Sequence, residues 1–121
     1  MTQHDPALYL THILESADLI ESYVHGLTLE MFRRDQQRQD AVIRRIEIMG
    51  EAVKNLPPDL RDSHPNVPWR RIAGMRDKVI HGYIFVDVEL VWAVATATLP
   101  QLRVEVRAIL DGLPRASDGP A

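Results

Sequence analysis

The chain has 121 residues, 45% hydrophobic and 26% charged, a balance that suits one globular domain with a core of its own and is too short for two. It contains no cysteine, which excludes disulfides, thiolate metal sites and cysteine nucleophiles and makes a reducing cytoplasm the expected setting. The net charge of −3 argues against a generic polyanion binder, yet it is unevenly spread: Thr28 to His81 carries 11 Lys and Arg against 8 Asp and Glu, a local +3 that leaves −6 elsewhere.

The opening MTQHDPALYL lacks a basic region followed by an apolar core, and no apolar stretch approaches the ~18 residues that span a bilayer, so neither secretion nor membrane insertion is expected. From Ala7 to Val24, apolar residues at Leu10, Ile13, Leu14, Ala17, Ile20 and Val24 recur in steps of three and four, which predicts an amphipathic helix. Asp5 and Pro6 suit its cap and first position, and Gly26 its end. A second helix, starting between Thr28 and Asp40, is predicted to run to Leu56. Its residues Val42, Ile46, Met49, Val53 and Leu56 form a seam for a partner helix within the subunit or across a dimer. Ile43 and Ile48 add apolar surface outside that seam, and Pro57-Pro58 stops the helix.

Asp59 to Val67 reads as a polar connection with one helical turn. A third helix follows from Pro68, burying Trp69, Ile72, Met75, Val79 and, at its end, Ile80, with Gly82 opposing its continuation. Asp87 is a plausible cap for a fourth, through Leu90, Val91, Val94, Ala97 and Thr98. Pro100 then demands a kink or a new start, and Thr98 with Gln101 resembles a capping box leading into Leu102, Val106, Ile109 and Leu110. With no sustained strand alternation, the expected fold is an all-α, up-down bundle of four to five helices over residues 1–111, followed by a disordered Gly/Pro-rich tail at 112–121.

Five histidines are available, but no two are spaced i, i+4 and there is no HExxH, so no metal site or other cofactor is predicted. His4, His12, His25 and His64 read as surface or helix-end residues. His81 has more telling neighbours, in the run MRDKVIHGY. At about 100° per residue, Arg76 and Tyr83 fall nearly on one helical face while His81 lies about 140° from Arg76. One ideal helix does not gather the three: a break near Gly82 or a second subunit is needed. Spacing alone leaves His81 open to two roles, a helix-end cap or a catalytic acid or base.

The run from Arg76 through His81 to Tyr83 resembles the Arg-x-x-x-x-His-x-Tyr motif of the HepT-like branch of HEPN domains. AVIRRIEIMGEAVKNLP (Ala41 to Pro57), VPWRRIAGMRDKVIHGY (Val67 to Tyr83) and VDVELVWAVATATLPQL (Val86 to Leu102) are similar to that branch too, in its order and over about half the chain. The resemblance implies a HEPN-like bundle that forms a homodimer and brings two copies of the motif to one cleft. It implies a metal-independent endoribonuclease, the toxin of a toxin–antitoxin pair. Its partner would be a minimal nucleotidyltransferase antitoxin, which in some systems adenylylates the motif tyrosine, here Tyr83.

Metal-free RNA cleavage needs a base for the ribose 2′-hydroxyl, a cation on the phosphate and an acid for the departing 5′-oxygen. His81, an imidazole of unperturbed pKa about 6.5, can act as base or acid. Arg76 can grip phosphate through two parallel hydrogen bonds, and Tyr83 can bind RNA or accept adenylate. Many HEPN ribonucleases have Asn after the motif arginine, where this chain has Asp77, an acid able to oppose phosphate or to orient Arg76. Glu51, in the Gly50-Glu51-Ala52 stretch, is a second supporting candidate, set against a solvated ion pair. Trp69 and Trp92 read as core or interface residues. The competing functional reading is a non-catalytic helical dimer that scaffolds a nucleotidyltransferase.

Overall fold

Asp5 begins the first helix as expected: its carboxylate accepts from the Ala7 N–H at 3.0 Å, and Pro6 takes the first position, where a missing donor costs nothing. The computed structural model describes residues 5–81 and 85–114, with the main chain alone at His81. Helix α1 (Pro6–Val24) buries the predicted stripe Leu10, Ile13, Leu14, Ala17, Ile20 and Val24. The chain then turns at Gly26, whose φ of +76° is a left-handed conformation that favours glycine.

The predicted second helix is two helices, because its polar first half contains two capping residues. Thr28 caps α2 (Leu29–Arg33) by accepting from Met31, and Asp35 caps α3 (Gln36–Lys54) by accepting from Arg38 at 3.0 Å. The buried Gln39 amide donates to the carbonyls of Phe32 at 2.9 Å and Arg33 at 3.1 Å, tying the end of α2 to α3. Val42, Ile46, Met49 and Val53 are all buried, and α3 packs along α1 through this seam.

Pro57 and Pro58 end α3 and also start the next element, since a proline at a first helical position loses no hydrogen bond. The turn expected in the connection is α4 (Pro58–Ser63). The predicted third helix is likewise split, at Gly74, into α5 (Trp69–Ala73) and α6 (Met75–Val79). Trp69 is a core residue, 7% exposed, and its indole N–H donates to the carbonyls of Arg61 (3.2 Å) and His64 (3.0 Å), fastening α4 to α5.

The helix leaves its path two residues earlier than Gly82. Ile80 is extended (φ −116°, ψ 118°), and β1 (Ile80–His81) pairs antiparallel with β2 (Phe85–Val86) in the register Ile80 to Val86 and His81 to Phe85. The β-branched Ile80 and Val86 and the aromatic Phe85 favour extended backbone, and a further bond from the Asp87 N–H to the Val79 carbonyl at 2.8 Å closes the segment. This short ladder corrects the expectation of no strand pairing; the architecture is otherwise all-α.

Asp87 caps α7 (Val88–Ala93) as predicted, accepting from Leu90 at 3.0 Å. The expected capping box at Thr98 does not form. Thr98 is helical (φ −67°, ψ −48°) and makes no side-chain cap, and a π turn at Val94–Thr98 runs directly into α8 (Leu99–Gly112). The wider turn accommodates Pro100, which has no N–H and would crowd the carbonyl four residues before it in a regular helix.

In the assembled bundle α1 lies against both α3 and α8, while α5, α6 and α7 pack on α3. Phe32 of α2 stacks obliquely on Trp92 of α7, ring centroids 5.3 Å apart. Arg103 of α8 reaches Asp18 at 3.0 Å and also Glu21, both on α1. Among the described residues no helix is long and apolar enough to cross a membrane. Gly112 still belongs to α8, and the tail expected from there lies, beyond Pro114, outside the described residues.

Candidate active site

The two faces of α3 have different tasks. Opposite its buried seam, Arg44, Glu47, Glu51 and Lys54 recur in steps of three and four, which keeps them within an arc of about 80°. This charged stripe forms one wall of a cleft of about 510 Å³. Gly50 brings the other wall close: a Cβ built there would sit 3.1 Å from the carbonyl oxygen of Ala73, so any side chain at this position presses α5 away from α3 by a few tenths of an ångström. Three residues after Ala73, across the break at Gly74, Arg76 enters the cleft from α6.

Arg76 is flanked by two carboxylates. Its Nε lies 3.8 Å from Glu47 Oε2, and its Nη1 donates to Asp77 Oδ1 at 3.4 Å. The Arg76 side chain is 48% exposed and that of Glu47 38%, so the pair is worth at most about 1 kcal/mol and leaves the guanidinium open to a ligand. Asp77 is 81% exposed and holds only one edge of the guanidinium. Glu51, the expected support for the arginine, lines the same cleft but pairs with Lys54 at 3.6 Å. The carboxylate of α3 that reaches Arg76 is Glu47, one turn earlier. Its signal in the sequence was its place on the same stripe as Glu51.

Tyr9 and His12 of α1 also line the cleft, with their rings edge to face and 6.2 Å apart. His12 is thus half-buried in the same cleft as Arg76 rather than at a helix end, whereas His25 and His64 are C-cap residues of α1 and α4. His81 is joined directly to α6 by its main chain, opposite the exposed Phe85. The side chain of His81, and His4, Gly82 and Tyr83 altogether, lie outside the described residues. The structure therefore gathers Arg76, Asp77 and Glu51 in one cleft and adds Arg44, Glu47 and His12. No cluster of His, Asp and Glu suited to holding a metal ion occurs among the described residues.

A helical bundle with an arginine held in a charged cleft, and a histidine following within five residues, defines the class of the molecule. The chain belongs to the HepT-like ribonuclease family, whose model, described as "Ribonuclease HepT-like", matches residues 13–109. It is 46% identical over 109 residues to a Methanocaldococcus jannaschii protein named "Gamma-glutamylcyclotransferase and putative RNase", covering 90% of this chain and 49% of that one. It is 43% identical over 105 residues to a "Putative RNase" of Caldanaerobacter subterraneus subsp. tengcongensis, covering 87% of this chain and 94% of the relative. A "Probable ribonuclease HepT" of Thermococcus cleftensis is 45% identical over 95 residues, 78% of this chain and 86% of that protein. The chain spans about half the length of the first of these relatives and most of the other two. No solved structure gives a significant match.

Proposed function

We infer that this protein is an endoribonuclease that cleaves RNA without a metal and acts as the toxin of a toxin–antitoxin pair. The observation that carries this reading is Arg76, half exposed in a cleft and braced by Glu47, with His81 five residues on in a chain of the HepT-like ribonuclease family. In the reaction His81 takes the proton of the ribose 2′-hydroxyl as its oxygen attacks phosphorus. Arg76 binds the non-bridging oxygens as charge grows on them, and the 5′-oxygen leaves with a proton, giving a cyclic 2′,3′-phosphate and a free 5′-hydroxyl.

A single imidazole cannot be base and acid in one step, which gives the homodimer a chemical purpose: the second subunit's motif supplies the acid. Tyr83, two residues beyond His81, then serves as the point where a minimal nucleotidyltransferase silences the toxin, since an adenylate adds a bulky anion to the motif itself. Purified protein free of any antitoxin should cut RNA in chelator, and His81→Ala should not. Equal cleavage by the two would end the reading. Mass determination after coexpression with a neighbouring nucleotidyltransferase tests the modification.

A second reading, a non-catalytic dimer that scaffolds the nucleotidyltransferase, is favoured by the contact of Asp77 with Arg76, because an acid on the guanidinium competes with phosphate. No cleavage by wild type, with undiminished partner binding by His81→Ala, would support it.

A further inference from the structure

The concavities of the described surface differ in charge. The cleft at Arg76 is balanced, with Arg44, Lys54 and Arg76 set against Glu47, Glu51 and Asp77. A larger groove of about 1030 Å³ between α4 and α5 is not: Arg61, Arg70, Arg71 and Lys78 line it with a single acid, Asp62. Among the described residues, Arg61, Arg70 and Arg71 take part in no ion pair. Arg61 Nε is moreover buried without an acceptor among the described residues, so the protein itself does not satisfy this charged donor.

The groove is also well anchored. The Trp69 indole holds the carbonyls of Arg61 and His64, so Arg61 on α4 and Arg70 and Arg71 on α5 share one frame. Ala73, at the joint between α5 and α6, lines both this groove and the cleft of Arg76, so the two cavities share a wall there. A flexible polyanion lying in the groove and crossing that joint arrives at Arg76. Discrete small anions would need no such continuity.

We propose that the groove between α4 and α5 is a phosphate-binding track that holds single-stranded RNA flanking the cleavage site. This rests on the ribonuclease reading for its substrate, and it accounts for how a protein of net charge −3 grips RNA: the affinity is concentrated in one groove beside a charge-balanced catalytic cleft.

The test titrates wild-type protein with a short, uncleavable 2′-O-methyl oligoribonucleotide over a range of salt. Four phosphate contacts on a single strand give a slope of log K against log salt of about −2.8. The Arg70→Gln/Arg71→Gln variant should fall to about −1.4 and bind about 25-fold more weakly at about 0.1 M salt, while Arg70→Lys/Arg71→Lys keeps the wild-type slope. A dinucleoside monophosphate, too short to occupy both cavities, should be cut at the wild-type rate by the glutamine variant. An unchanged slope in that variant overturns the track, as does an equal loss of dinucleotide cleavage, which would place the arginines in the reaction itself. Loss of nucleotidyltransferase binding with the RNA slope intact would assign the groove to a protein partner and also overturn it. The two readings fail separately: a wild type that cuts nothing but shows the slope and its loss removes the ribonuclease, and one that cuts both substrates with no slope change removes the track.

Discussion

Gly50 is where a single carbon should disturb both fold and site. A Cβ at this position meets three atoms, all of Ala73: the carbonyl oxygen at 3.1 Å and the carbonyl carbon and Cα at 3.8 Å each. Since ordinary contact begins at 3.4 Å, even alanine requires α5 to retreat by a few tenths of an ångström. Gly50→Val adds two methyl groups to that encounter. Overpacking of this kind costs about 1–3 kcal/mol, and the better helix propensity of valine returns only about 0.3–0.5 kcal/mol. The net loss of roughly 0.5–2.7 kcal/mol corresponds, for a domain of this size, to a fall in Tm of roughly 2–11 °C. Thermal melting followed by circular dichroism measures it, with Gly112→Ala as control, because nothing lies within 4 Å of a Cβ at that residue. The variant should also lose more RNA cleavage than its unfolded fraction explains, because moving α5 carries Arg76 away from Glu47. A Tm equal to or above wild type would show that α3 and α5 are not in fixed contact, and the account of how Arg76 is placed would fall with it.

Glu47→Gln should change stability by less than about 1 kcal/mol, since both partners are partly solvated, while slowing RNA cleavage by freeing Arg76; a large stability loss with unaltered cleavage would contradict the bracing role. Phe32→Ala removes a fully buried ring packed on Trp92 and should cost about 3–5 kcal/mol in urea unfolding; a loss below about 1 kcal/mol would deny α2 its place in the core. The hydrogen bond to Asp18, and then the charge of Glu21, raise Arg103 above the usual arginine value. A raised cation stabilises fully below its unfolded pKa and loses that contribution only as pH climbs through the folded value, so Arg103 itself should contribute no pH dependence to stability around neutrality. Arg103→Met should lower Tm slightly at low salt and leave it unchanged at high salt; a salt-independent loss would point to packing instead.

Much of this architecture was legible from residue spacing because helix formation is local. Asp5 and Pro6 start α1, Asp87 starts α7, and the seam of Val42, Ile46, Met49 and Val53 is buried, each through interactions spanning a few residues. Residues 28–40 held two caps where the sequence suggested one start: Thr28 and Asp35 each begin a helix, and the short first one exists to bury Phe32 in the core. The position of the motif arginine could be read from the resemblance of its surroundings to the HepT-like family. Its partner could not: Glu47 and Glu51 share one face of α3, and the choice between them depends on how far along that helix α6 docks.

The end of α6 was decided in three dimensions as well. Gly82 was the local candidate for a break, yet Ile80 turns extended because Val86 offers a pairing partner from beyond the motif. The break at Pro100 became a π turn because α8 keeps Leu102, Val106 and Ile109 buried in the bundle and the chain adjusts before the proline instead of stopping. The sequence by itself thus determined most of the helical segments and their apolar faces, and through its resemblance it singled out the motif around Arg76. Tertiary structure alone decided what stands beside Arg76, because contacts between distant segments depend on the docking of whole helices, and at Gly50 that docking turns on the absence of one side chain.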